Sequence, residues 1–401
     1  MILVVLAVLG TYQTLKADLF SGAQWRNLVV LGIAQGSLYA LIAMGYTLVY
    51  GILFMINFAH GEVFMAGAFT SFFVARTLNR SGFLDHSGLS MVLSIALLLL
   101  VSCGVSVIVA VLLERIAYRP LRGAPRLVPL ITAIGASLFL QYTFRGMYGS
   151  QVQGYPRPDG LGGNWNVPFL SLFGMCLVGA LVLLAIGFYK MNARKGSEES
   201  GSRIGLIVLI VSGVASAVLA VVFFFVTDIT SFITDIPVLK SQVFAIVAAL
   251  LLVVGLFIFI TRTRAGRSMR AVGEDKEISS LMGIDVDRVI VMTFVIGGAL
   301  AGAAGVLWAF VVGQVGAFMG FIPGIKAFTA AVLGGIGNVV GAALGGLMLG
   351  VLESVGPFLL LTGLDIPGIN QLKDAIAFTV LVIVLIFRPG GILGSAEEER
   401  A

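Results

Sequence analysis

Runs of roughly twenty apolar residues recur along this whole chain, and that recurrence constrains the fold more than any other feature. A helix of about that length crosses the hydrocarbon core of a bilayer. A transmembrane barrel is excluded, because its strands are about ten residues of alternating pattern. Charge content agrees: only 11% of the 401 residues are charged, against about 25% in soluble domains, and 59% are hydrophobic. The expected fold is therefore all-α, a polytopic helical membrane protein. Glycine, at 51 residues, suits closely packed helices. The net charge of +5 is no sign of nucleic acid, because fourteen of the 25 Lys and Arg residues cluster in three loops between apolar runs.

The organisation follows from alternating these runs across the membrane. Residues 1–26 form a short apolar segment that Lys16 and Asp18 interrupt too early for a full span, and it lacks the basic start of a signal peptide. Asn27 to Ile56 is a long run with a small-xxx-small pair at Gly32 and Gly36. It breaks at Met55 to Glu62 and resumes to about Leu78, and a further span ends near Leu113. Glu114 to Arg126, with Arg115, Arg119, Arg122 and Arg126 against one carboxylate, reads as a cytoplasmic loop. Leu127 to Met147 crosses outward, and the Gly/Pro-rich stretch Tyr148 to Asn166 faces outside.

Residues 167–238 read as an inserted pair, Val167 to Tyr189 and Ile204 to Thr227, joined on the inside by a loop with Lys190, Arg194, Lys195 and Arg203. Leu239 to Ile260 leads back in, and Val289 to Val312 leads out. The run from Phe321 to about Leu361 is too long for one helix and breaks at Gly334 to Asn338. It is expected to form a hairpin or re-entrant element and then a span, with Gly337, Gly341 and Gly345 on one helix face. Asp374 to Phe387 ends the membrane domain, 27–394, and residues 395–401 form a cytoplasmic tail. The total is about ten or eleven spans with discontinuous or re-entrant segments.

Between two of these runs lies a charged island, residues 262–288, with six basic and five acidic side chains. Such a segment belongs in water, and its basic excess places it on the cytoplasmic side. Glu274 to Met282 has good helix formers and an acidic first turn, and Gly283 follows as a helix stop. A short helix exposed on the inner face suits docking.

No catalytic constellation and no metal site is legible. The chain has no GxxxxGK[ST] phosphate loop, and two histidines are too few for a histidine metal site. Cys103 and Cys176 sit in apolar runs as small core residues. The polar break at Asn57, His60 and Glu62 is the most informative intramembrane feature, since ionisable groups at depth mark function. Its alternative is a plain turn with His60 and Glu62 in interfacial water. Lys326 and Thr329, ahead of the second break, form a corresponding pair. Lys326 could instead snorkel to the outer interface, and Glu353 could be a solvated span end. Breaks in both halves are a transporter pattern. An ion-coupled secondary transporter, with Glu62 or Glu353 carrying the proton, is a second reading. An intramembrane enzyme using His60 and Glu62 is a third, without a nucleophile to support it.

Several long stretches carry a family resemblance. GSLYALIAMGYTLVYGILFMINFAHGEVFMAGAF (Gly36 to Phe69), ERIAYRPLR (Glu114 to Arg122), LITAIGASLFLQ (Leu130 to Gln141), the segment Arg264 to Leu307 and KAFTAAVLGGIGNVVGAALGGLMLG (Lys326 to Gly350) resemble the high-affinity branched-chain amino acid permeases of bacterial ABC importers. The H type is the more similar, and the urea importer's B-type permease is similar too. The resemblance implies a multi-pass subunit of the bacterial inner membrane, partnered by a homologous permease, two cytoplasmic ATPases and an extracytoplasmic substrate-binding protein. ATP and Mg would reside in the ATPases, leaving this chain without a cofactor or enzymatic activity. The family's EAAxxxG-like docking loop matches at Glu277 and Gly283, while Ile278 and Ser279 replace its alanines. Arg270, Glu274, Asp275, Glu277 and Gly283 are the ATPase-coupling residues so implied, and Asn57, His60, Glu62, Lys326 and Thr329 the substrate path. The inserted pair departs from the family, which links these spans with a short outer segment.

Overall fold

The computed structural model describes residues 9–14, 16–17, 20–84, 88–125, 127–168, 235–364, 368–388 and 390–393. In chain order the elements are α1 (Gly22–Leu53), α2 (His60–Arg80), α3 (Leu89–Leu112), α4 (Leu127–Tyr148), β1 (Gln153–Gly154), β2 (Asn164–Pro168), β3 (Asp235–Leu239), α5 (Lys240–Arg262), α6 (Arg264–Glu274), α7 (Lys276–Leu281), α8 (Val286–Val312), β4 (Gln314–Val315), α9 (Phe321–Gly334), α10 (Val339–Leu361) and α11 (Lys373–Phe387). The all-α class is as expected. Among the described residues six helices are long and apolar enough to cross a membrane: α1, α3 with its extension, α4, α5, α8 and α10. The 21-residue α2 is more polar, and α9 and α11 are shorter. The expected inserted pair and the tail 395–401 lie outside the described residues.

Helices α1 and α8 form the centre. α1 starts at a capping box in which Ser21 and Gln24 serve each other's backbone, so the entry to the helix is fixed locally. Its glycines face α10: a Cβ at Gly36 would stand 2.8 Å from the Leu347 Cα, and one at Gly350 would stand 2.3 Å from the Gly36 Cα. Gly32 and Gly36 thus do what their spacing suggests. On α8, Gly302 and Gly298 admit α3, and Gly305 admits the backbone of α2 at Phe64. Around this centre α3, α4 and α5 leave large side chains outside, among them Leu100, Ile131, Phe139 and Leu251.

Three expectations need correction. Glu114 to Arg126 is not simply a loop: α3 continues through a widened π turn, residues 113–118, and a tight turn to Leu121. Glu114 and Tyr118 are buried there, because the arm packs back against the protein instead of into water. Gly337 is not on a helix face with Gly341 and Gly345. It lies in the connection before α10 with φ at 94°, while Gly341 and Gly345 pack on α9. The expected helix Glu274 to Met282 is shorter, running as α7 from Lys276 to Leu281, because Glu274 closes the preceding α6. The Asp275 carboxylate accepts the N–H groups of Glu277 and Ile278, so its own backbone leaves the helix with φ at −153°.

The breaks position everything else. α1 ends at Leu53, yet α2 begins beside Gly45, whose missing Cβ would fall 2.2 Å from the His60 Nε2. Eight helical residues amount to about 12 Å, so the connection 54–59 climbs back into the protein before α2 starts. From there α2 runs toward the end of the bundle where Ser71 meets the Tyr155 hydroxyl at 3.0 Å. α9 also starts inside, with Gly320 and Gly324 against Gly61, and runs the opposite way, ending in the turn where Gly337 meets Gly51. Among the connections, β1 pairs with β4, and β2 pairs with β3 from Asn164↔Leu239 to Pro168↔Asp235. Residues 169–234 therefore leave and rejoin at one pinned place, inside the expected bounds 167–238.

The α1–α10 contact yields a test. Gly350→Val should overpack it by about 1–3 kcal/mol and lower folded yield and melting temperature. Gly255→Val, where a Cβ would meet nothing, serves as the control and should leave both close to wild type.

Candidate functional site

The site is built where two broken helices begin. α2 starts after Ala59 and α9 after Gly320, and neither first turn is capped by a side chain. Their positive dipole ends come together inside the protein, while the first-turn N–H groups of His60, Glu62 and Phe321 are held by the Asn57, Ala59 and Phe318 carbonyls. A Cβ on Gly61 would stand 2.6 Å from the Gly320 carbonyl, so only glycines permit this approach. Glu62, in the first turn of α2, lies at the junction with 1% exposure. Its Oε1 accepts from Gln141 Nε2 at 2.6 Å and from Ser137 Oγ at 3.3 Å, both on α4. Its Oε2 has no hydrogen-bond partner and lies on the side of Gly320. His60 is equally buried, with its ring 4.8 Å from that of Tyr46 and its Nε2 unpartnered. The interfacial-turn alternative for this break does not hold.

Asn57 belongs to the same break but faces inward along it, where its Oδ1 accepts from the Tyr118 hydroxyl at 2.7 Å. Lys326 and Thr329 are not brought to His60 and Glu62. Thr329 donates to its own helix at the Ile325 carbonyl, 2.9 Å away. Lys326 is buried, not snorkelling: its Nζ donates to Glu353 Oε1 at 2.7 Å, beneath the Tyr39 ring. Glu353 is likewise no solvated end. Its Oε2 accepts from the Tyr39 hydroxyl at 3.0 Å. Asp374 at the start of α11 completes this second cluster, 2.7 Å from the Lys326 Nζ, close as an ion pair though not aligned as a hydrogen bond. Two buried polar clusters thus stand where one path was expected.

Sequence reasoning missed Tyr39, Tyr46, Tyr118, Ser137 and Gln141. Ser137 and Gln141 were the findable pair, since two polar residues four apart share one face of an otherwise apolar helix. The tyrosines carry no such signal, because an apolar ring in an apolar run looks like core.

The expected coupling residues are exposed. Arg270 lines a cavity of about 440 Å³ with Gly51, Phe54, Gly337 and Asn338. Glu274 closes α6, Asp275 caps α7, and Glu277 lies in the first turn of α7. Gly283 has φ at 82°, and its N–H and that of Ile284 reach back to the Ser280 and Ser279 carbonyls. This is the Schellman arrangement that ends a helix at glycine. Lys276 stands over the Phe54 ring at 5.6 Å. Burial, and then the Arg122 charge, hold its ammonium below the ordinary lysine value.

The Lys326–Glu353 pair generates a stability test. Lys326→Met strands a buried carboxylate and should cost about 3–5 kcal/mol in the purified protein. Adding Glu353→Gln should recover part of that loss, read as melting temperature in a double-mutant cycle.

Comparison with known proteins then places the chain. The family model described as branched-chain amino acid transport system / permease component matches residues 28–159 and 160–385. The high-affinity branched-chain amino acid transport system permease protein BraD of Pseudomonas aeruginosa is 39% identical over 372 residues, which is 93% of this chain and 96% of that protein. The corresponding LivH proteins of Salmonella typhimurium and Escherichia coli K12 are 37% and 36% identical, covering 92% of this chain and 95% of theirs. No solved structure matches. The apolar helices and these relatives make the protein a multi-pass membrane protein and a transport permease rather than an enzyme. The chain belongs to the branched-chain amino acid transport system permease family.

Proposed function

We propose that this chain is the membrane-spanning subunit of an ABC importer in the bacterial inner membrane, carrying branched-chain amino acids inward. The observation that carries the reading is the meeting of two uncapped helix N-termini at Gly61 and Gly320, with His60 Nε2 and Glu62 Oε2 unpartnered beside them. Helix N-termini favour a carboxylate, and the free Glu62 oxygen favours an ammonium. A zwitterionic amino acid presents both groups. The path runs along Asn57, His60 and Glu62, while Lys326 and Thr329 flank it on α9. The ion-coupled alternative is weaker, since Glu353 is already tied to Lys326 and Tyr39.

Energy enters from the cytoplasmic side. α7 carries Ile278, Leu281 and Met282 exposed beside Glu277, an apolar knob with a charged rim on an aqueous face. It suits a cleft on an ATPase subunit, with Arg270, Glu274 and Asp275 around the dock. ATP and Mg would be held by the two ATPases. A second permease and an extracytoplasmic substrate-binding protein complete the importer, as the relatives' transport-system names suggest.

Two experiments test this reading. His60→Ala and Glu62→Ala should each lower uptake of tritiated leucine while the assembly purifies intact; normal uptake in both would reject the path. Gly283→Val forces a β-branched residue into positive φ at about 1–3 kcal/mol, with open space around it, and Glu277→Lys reverses a charge at the dock. Membrane abundance should stay near wild type while ATPase recovery and uptake fall together. Wild-type recovery of the ATPases in both variants would remove the docking role.

A further inference from the structure

We propose that Tyr118 is a positioning residue, linking the cytoplasmic coupling segment to the α1–α2 break so that motion of the first reaches Asn57. This rests on the importer reading above and adds the route by which force travels.

The route starts from the arm that extends α3. From one residue to the next this arm changes character: Tyr118 is 1% exposed, while Arg119 is in water. On the buried side, the Tyr118 hydroxyl donates to Asn57 Oδ1 at 2.7 Å, and its ring lies 5.7 Å from that of Phe294 on α8. On the wet side, Arg119 Nη2 donates to Asp287 Oδ2 at 2.7 Å, and Arg122 bridges Asp287 to the buried Glu114. Asp287 is four residues past Gly283, in the first turn of α8. The arm thus has one hand on the end of the coupling segment and the other on the break.

The same segment touches the break from its other end. Gly273 packs on the Gly51 carbonyl, where a Cβ would stand 2.8 Å away, and Lys276 stands over Phe54. Phe54 has φ at 56°, the one positive φ of a non-glycine among the described residues. A bulky residue in that region is held by its surroundings rather than by preference, which makes it a place where a backbone can switch. Contacts at both ends of 54–59 therefore lead to the segment an ATPase would displace. The buried Tyr118–Asn57 hydrogen bond and the Arg122 link from Asp287 to the buried Glu114 transmit a shift where loose packing would absorb it.

The test separates coupling from stability. Tyr118→Phe keeps the ring on Phe294 and removes only the hydroxyl. The full assembly is reconstituted in proteoliposomes, with a mixture of tritiated leucine, isoleucine and valine as the probe. There the variant should keep solute-stimulated ATP hydrolysis yet carry on the order of fivefold less solute per ATP, the factor a lost buried hydrogen bond represents. Asp287→Asn, which removes the charge that Arg119 and Arg122 share, should lower the same ratio. A purely structural role would lower the melting temperature of Tyr118→Phe with solute per ATP unchanged. That unchanged ratio, in Tyr118→Phe or in Asp287→Asn, overturns the proposal. If the wild-type assembly shows no solute-stimulated hydrolysis, the importer reading itself falls and takes the link with it.

Discussion

Everything in this structure depends on the contact of Gly61 with Gly320 and Gly324, where two helices begin head to head inside the protein. Each brings a positive dipole end to a depth where water cannot screen it. Two such ends repel each other unless something negative lies between. Glu62 supplies that charge from the first turn of α2, and the glycines let the backbones close to within a distance no Cβ would tolerate. The carboxylate and the two helix ends therefore need one another, and the remaining helices are arranged to keep the three away from lipid.

The protein buries charge in two different ways within one membrane domain. Glu62 is satisfied by dipoles, by the Gln141 amide and by the Ser137 hydroxyl, with one oxygen left over. Glu353 is satisfied by a full opposite charge on Lys326 and by Tyr39. The second arrangement locks α1, α9 and α10 together, because removing either partner leaves a bare charge in the interior. The first leaves capacity for a polar ligand. That difference in completeness is the reason for proposing the first cluster as the transport path.

The shape of residues 262–288 comes from two short-range devices. Asp275 interrupts what would be one helix by capping the next, and Gly283 ends that next helix in the left-handed region. Their joint effect is to turn α7 outward with its apolar residues exposed while both flanks stay anchored to the core. The β2–β3 pairing sets Pro168 beside Asp235, so the chain before residue 169 and the chain after residue 234 are held together.

Much of this was legible in the sequence because the bilayer leaves a helix few choices. Run length and charge placement located α1, α3, α4, α5, α8, α10 and both breaks to within a few residues. Asn57, His60, Glu62 and Gly283 stood out because a polar group or a lone glycine at a boundary has few bland explanations. What the runs could not say is which faces meet. The tertiary structure alone decided that Lys326 pairs with Glu353, that Tyr118 reaches Asn57, and that Gly61 lies against Gly320. Nor did local preference foresee the arm after Leu113, where four arginines in thirteen residues signal water while Tyr118 and Glu114 are drawn inside. Periodicity and hydropathy report how each segment meets the solvent. The pairing of buried polar groups depends on which helices touch and at what depth, and that is settled only when the whole bundle packs.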